Sequence, residues 1–183
     1  MLAFISHLGT IRTLGLMFIL VNFCSCASGS ISKKDSVKTT NDTSNEQRLR
    51  MEVVRYARNF LDKPYKQGGR NEKGFDCSGF VCYVLKHFDI TMEASSQDQA
   101  KEGKNLNINE LKPGDLIYFG DKKRIHHVGI ITERRKNSLM IIHSTSSKGV
   151  IEEDILKSDY WLKRIRFFKE LKSFKSNNIV FKS

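Results

Sequence analysis

The chain has 183 residues, with 31 Lys+Arg against 20 Asp+Glu and a formal charge of +11. A hydrophobic content of 39 % and 10 % aromatics exclude a wholly disordered chain, and 12 Gly with 2 Pro exclude a collagen-like or low-complexity one. Four Cys in this length do not make a disulfide scaffold, and the positive balance points to nucleic acid, a membrane surface or an acidic polymer as partner.

Residues 1–26 hold no Asp or Glu, and Leu14 to Phe23 form an apolar run, LGLMFILVNF. A helix needs about 20 residues to span a bilayer core, so this run is too short. It suits the apolar core of a secretory signal peptide, against the alternative of an ordinary buried helix. Cys24-Ser25-Cys26 follows, and a cysteine just after a signal core resembles the lipobox of bacterial lipoproteins. The resemblance implies that Cys26, preceded by small Ser25, is the lipidated residue, although Phe23 departs from the usual Leu. Secretion without lipid is the other reading. Residues 27–45 are rich in Ser, Thr, Asn and Lys, and are expected to form a disordered tether.

A single catalytic domain is expected over residues 46–171, followed by a basic tail, 172–183, that aids adhesion to membrane or wall. The spacing of Leu49, Val53, Ala57 and Phe60 predicts a helix from Glu46 to Leu61, ended by Asp62-Lys63-Pro64. Tyr65 to Gly74 reads as loop. Phe75 to His87 returns to helical spacing, with Phe80, Val81, Val84, Leu85 and Phe88 as its buried stripe. After a polar stretch, 95–109, and a turn, 111–115, strands are expected at 116–119, 127–132, 139–143, 149–152 and 161–168, with 134–137 as a hairpin loop. Helices first and strands later predict an α+β fold with a largely antiparallel sheet.

Cys77 stands at the head of the second predicted helix. Free N–H groups and the helix dipole favour a thiolate there and can stabilise an oxyanion. Cys82, one helical turn and more further on, reads as a small core residue. A Cys77–Cys82 disulfide has poor geometry on one helix. A thiol nucleophile needs a base and often a group that orients the base. His7 falls in the signal segment, and His87 sits at the far end of the helix in a capping role. His126, His127 and His143 remain. The hairpin brings His127 and His143 to the same end, and alternation lets only one of His126 and His127 serve Cys77. Zinc held by Cys77, Cys82, His126 and His127 is the competing reading, without a recognised ligand spacing.

Tyr65-Lys66-Gln67-Gly68-Gly69, Asp76-Cys77-Ser78-Gly79-Phe80, Leu111-Lys112-Pro113-Gly114-Asp115-Leu116, His127-Val128-Gly129-Ile130 and Ile142-His143-Ser144 occur in that order. Together they resemble the NlpC/P60 family of bacterial cell-wall peptidases, over about residues 46–166. The resemblance implies a papain-like α+β fold with Cys77 as nucleophile, His127 as general base and His143 as the orienting residue. Tyr65, Asp76 and Ser78 match positions that line the substrate site. The implied activity is cleavage of amide bonds in peptidoglycan stem peptides, at D-glutamyl-diamino acid or crosslink bonds, by a monomer without cofactor or metal. An amidase or acyltransferase on the same fold, or an inactive wall-binding lipoprotein, are the alternatives. Export removes nucleic acid from the anionic partners, leaving wall polymer and, through the lipid anchor, the membrane.

Overall fold

A computed structural model of the protein describes residues 33–170, with side chains described from residue 43 onwards. The expected signal segment with Cys26 and the expected basic tail 172–183 lie outside the described residues. Among the described residues no helix is long and apolar enough to cross a membrane.

Helix α1 (Lys33–Arg58) buries Leu49, Val53 and Ala57, and Phe60 packs just beyond its end, as the spacing predicts. It begins at Lys33 rather than Glu46, so residues 33–45, expected as part of a tether, are helical. The reason is cooperativity: once the amphipathic part has nucleated against the sheet, adding a polar turn fixes one residue per hydrogen bond. The chain leaves α1 through Asp62, whose φ of 65° is left-handed and whose N–H bonds the Val150 carbonyl at 2.9 Å.

Two short strands, β1 (Arg70–Asn71) and β2 (Gly74–Phe75), close a hairpin before helix α2 (Cys77–Lys86). Asp76 is the cap of α2: its Oδ1 accepts the Gly79 N–H at 2.6 Å and the Ser78 hydroxyl at 3.1 Å. The helix therefore starts at Cys77, and not at Phe75 as its spacing suggested. Gly79 has to be glycine, because a Cβ there would lie 2.0 Å from the Gly69 carbonyl oxygen. That close approach, with the Asp76 N–H bonded to the same carbonyl at 3.1 Å, clamps the 65–74 loop onto the helix head. Phe80, Val81, Val84 and Leu85 are fully buried. Each such side chain contributes about 1.5–3 kcal/mol. At the other end His87 caps α2 and stacks on Tyr56, ring centroids 3.8 Å apart.

The polar stretch 95–109 holds more structure than its composition suggests. It forms the one-turn helix α3 (Ser96–Gln99), strand β3 (Lys104–Leu106) and the start of a 3-10 turn at Ile108–Glu110. Strands β4 (Leu116–Gly120), β5 (Ile125–Arg135), β6 (Ser138–Thr145) and β7 (Gly149–Asp154) follow. Strands β5 and β6 run to Arg135 and from Ser138, so half of the expected hairpin loop, Arg134 and Arg135, is strand. The expected final strand is divided: Trp161 and Leu162 lie in helix α4 (Asp159–Leu162), and β8 is Ile165–Glu170. Ser158 decides this by capping α4, its hydroxyl accepting the Trp161 N–H at 3.4 Å. The sheet is antiparallel throughout, in the order β3-β8-β4-β5-β6-β7. Helices α1 and α2 pack on one face, over Tyr118, Val128, Ile130 and Ile142. The other face carries Ile117, Phe119, Ile131 and Ile141.

Arg50 ties the helical layer to the sheet. Only 2 % exposed, it bonds Glu46 at 2.8 Å, Asp115 at 2.7 Å, Glu170 at 3.1 Å and the Pro113 carbonyl at 3.1 Å. The turn 111–115 therefore serves to hold Asp115 beneath α1. Removing one partner of a buried charge network strands the others in low dielectric. Arg50→Met should lower unfolding free energy by about 3–5 kcal/mol in urea titration. A loss below about 1 kcal/mol would show that the network contributes little.

Candidate active site

Cys77 is the first residue of α2, and its sulfur reaches strand β5, lying 3.8 Å from the His126 carbonyl oxygen. The backbone N–H of Val128 is also against the sulfur. The sulfur thus meets the backbone on both sides of His127. Cys82 is a free thiol, like Cys77, and points elsewhere: it lies 3.3 Å from the Glu93 carbonyl and accepts from Gln99 at 3.2 Å, holding the 92–99 segment to α2.

Strands β5 and β6 pair from Arg135↔Ser138 to Ile130↔Ile142, so His127 and His143 lie just past the last pair at one end. There His127 Nε2 meets His143 Nδ1 at 2.9 Å. The ring of His143 is fully buried, and its Nε2 meets the Glu153 carboxylate at 3.0 Å. Glu153 also accepts the indole N–H of Trp161 at 2.8 Å. Trp161 stacks on His127 with ring centroids 4.8 Å apart and planes at 25°. Because Nε2 of His127 is committed to His143, Nδ1 is the nitrogen left for Cys77. His126 turns the other way and bonds Asp121 at 2.8 Å, as strand alternation requires.

These groups border an open cleft of about 1010 Å³, lined among others by Tyr65, Cys77, His127, Ser144, Glu153 and Trp161. Of the three residues expected to line a substrate site, Tyr65 lies on the wall of this cleft. The Asp76 Oδ1 and the Ser78 hydroxyl are instead spent on each other and on Gly79, and Ser78 is buried.

Glu153 and Trp161 were not evident from sequence. A signal for Glu153 did exist. Ile151 pairs with His143, and Glu153, two residues on, shares its face of the sheet. Ending the strand at Glu152 hid it. Glu152 itself faces the helical layer, bonding Arg58 and Thr132. Trp161 was masked by assigning it to a strand.

The electrostatics differ from those expected of a helix head. Burial pushes the Cys77 thiol up to about 11, and the Asp76 carboxylate pushes the same way. The N–H groups of Val128, Ser78 and Cys77 oppose this and are outweighed. Burial, and then the repulsion that arises when both rings are charged, pushes His127 down to about 3. Burial thus disfavours the charged form of each group.

The sequence profile of the NlpC/P60 family matches residues 62–170. The chain belongs to the NlpC/P60 family. Gamma-DL-glutamyl hydrolase of Bacillus subtilis (strain 168) is 36 % identical over 145 residues, covering 79 % of this chain and 34 % of that protein. Murein DD-endopeptidase MepS/Murein LD-carboxypeptidase of Escherichia coli (strain K12) is 34 % identical over 101 residues, covering 55 % of this chain and 51 % of its own. The chain thus spans less than two thirds of either relative's length. The crystal structure of the NlpC/p60 domain of the peptidoglycan hydrolase SagA superposes with a TM-score of 0.56 at 25 % identity, over 65 % of this chain and 96 % of that one. The NlpC/P60 match contains Cys77, His127, His143, Glu153 and Trp161. Helix α1 lies before it.

A thiol raised to about 11 is roughly one part in a hundred thiolate at pH 9, whereas a thiol at the ordinary value of 9.0 is half ionised there. Alkylation of Cys77 by iodoacetamide, followed by peptide mass spectrometry, should keep rising with pH beyond 9. A plateau reached between pH 5 and 8 would show a preformed thiolate–imidazolium pair and overturn this assignment.

Proposed function

We propose that the protein is a cysteine endopeptidase that hydrolyses amide bonds in peptidoglycan stem peptides during cell-wall remodelling. The observation that carries the reading is the juxtaposition, in an open cleft, of a helix-head cysteine with the strand that presents His127, its ring aligned by His143. The names of the relatives, which include a glutamyl hydrolase and a murein endopeptidase, point to the same substrate class.

In this reading Cys77 is the nucleophile, His127 the base and His143 its orienting partner. As the substrate carbonyl approaches, the Cys77 proton passes to His127 Nδ1 and the sulfur attacks the carbonyl carbon. Backbone N–H groups of Cys77 and Ser78, already aimed at the sulfur, are placed to receive the oxyanion. The tetrahedral species collapses, the C–N bond breaks, and the leaving amine takes the proton from His127. A water then gives a proton to His127 and its hydroxyl to the thioester, releasing the acid and restoring the thiol. The burial of both groups fits this sequence, because it disfavours charge before substrate is present.

Tyr65 contributes to substrate binding from the cleft wall. Asp76 and Ser78 contribute by fixing the helix head that carries Cys77. The cleft also presents Lys148, Lys163, Arg164 and Arg166, an arrangement suited to the carboxylates of a stem peptide. Export and a lipid on Cys26 complete the proposal and rest on the sequence of the first 26 residues alone. The reading is of a monomer that needs no cofactor.

Defined muropeptides should be cut within the peptide, releasing a new amine and a new carboxyl detectable by mass spectrometry. Cys77→Ala and His127→Asn should each lower turnover by about a thousandfold or more. Full activity in Cys77→Ala would exclude the thiol mechanism. Products separated between sugar and peptide would show an amidase instead. For the anchor, radiolabelled palmitate should enter the wild type and not Cys26→Ala; an unlabelled wild type would remove the lipid from the proposal.

A further inference from the structure

We propose that Glu153 is a positioning residue, whose carboxylate sets the direction of the hydrogen bonds along His143 and His127 so that the lone pair of His127 faces Cys77. The proposal deepens the peptidase reading and rests on it for its kinetic consequence.

The argument begins with what each group can donate. An ionised carboxylate only accepts hydrogen bonds. Glu153 meets His143 Nε2 at 3.0 Å, so that nitrogen carries the hydrogen. With His143 neutral, that N–H is its only one, and its Nδ1 is an acceptor. His127 Nε2 lies 2.9 Å from this acceptor and has to donate to it. The one nitrogen of His127 left without a hydrogen is Nδ1, the nitrogen available to the thiol. Reversing any link would put an N–H on His127 Nδ1 and leave the sulfur without a base.

Glu153 is equipped to hold this direction. It accepts from two N–H donors, His143 and the Trp161 indole, and both terminate on Oε1. The hydrogen bond from His143 comes first among the causes that keep its carboxyl below the usual range, against the opposing effect of burial. His143 is fully buried, so water does not compete for its Nε2. Trp161 adds a mechanical constraint: it stacks on His127 while its indole N–H holds Glu153. The two ends of the chain of hydrogen bonds are thereby fixed by one side chain. When His127 takes the thiol proton, its Nε2–H still donates to His143, and the carboxylate at the far end offsets the new positive charge.

The test is two-part. Long-range proton–nitrogen correlation spectra of the full chain labelled with 15N-histidine read tautomers directly. In the wild type, His127 and His143 should both show hydrogen on Nε2 and none on Nδ1. Glu153→Gln is nearly isosteric, but an amide offers either an acceptor or a donor. It should bring in the Nδ1–H form of His143. Replacing the orienting carboxylate of a Ser-His-Asp triad by its amide costs about ten-thousandfold; Glu153 acts through one more ring, so kcat on muropeptides should fall about ten- to a hundredfold with KM within about twofold. A wild-type Nδ1–H on either ring would overturn the proposal, as would a folded Glu153→Gln with unchanged tautomers or unchanged kcat. If Glu153→Gln does not fold, the wild-type spectrum alone decides. If the wild type shows the expected tautomers yet cleaves no muropeptide, the peptidase reading fails and the role of Glu153 stands.

Discussion

The carboxylate of Asp76 is the constraint on which the site is built. One oxygen collects the Gly79 N–H and the Ser78 hydroxyl, which fixes the first turn of α2 and makes Cys77 its first residue. The Asp76 N–H meanwhile binds the Gly69 carbonyl, bringing the loop that carries Tyr65 to the same place. Position is gained at an electrostatic cost, because the negative charge that caps the helix also opposes ionisation of the thiol beside it. The dipole argument for an activated helix-head cysteine considers the N–H groups alone. Here burial and the capping charge outweigh them, and in the proposed mechanism activation waits until His127 accepts the proton.

Much of the fold was legible because its signals are local. The stripe of Leu49, Val53 and Ala57 announces α1, and that of Phe80, Val81, Val84 and Leu85 announces α2. The runs at Leu116–Phe119 and Leu139–Ile142 announce two central strands. All of these side chains except half-buried Met140 are buried. Cys77, His127 and His143 could be singled out as well, since a helix-head cysteine and two histidines at the ends of hairpin-linked strands are readable from order and spacing. What was hidden depends on distant partners. Strand β3 exists because Lys104–Leu106 pairs with Phe168–Glu170, some sixty residues later in the chain. The polar start of α1 gains its conformation from the nucleated turns that follow. Glu153 looks like one of three consecutive acids until the β6–β7 register sets it beside His143 and Glu152 on the opposite face.

The sheet thereby divides two tasks between its faces. Toward α1 and α2 it carries Val128, Ile130, Ile142 and Val150, together with the Glu152–Arg58 pair. Toward the other side it carries Phe119 and Ile141 in the core, then His127, His143 and Glu153 at the end where β5 and β6 cease to pair. Gly129 sits between these regions, where an added Cβ would press to 3.2 Å from the His143 Cβ. The absent side chain leaves room for the buried imidazole that links the other two groups.

Trp161 is the chain's single tryptophan, and it lies against His127. Fluorescence excited selectively at tryptophan is therefore emitted from the rim of the cleft. Its intensity will respond to the charge of the imidazole it covers, and its wavelength to the water that a bound peptide displaces. The molecule carries its own optical probe, built into the stack that holds the His127 ring in place.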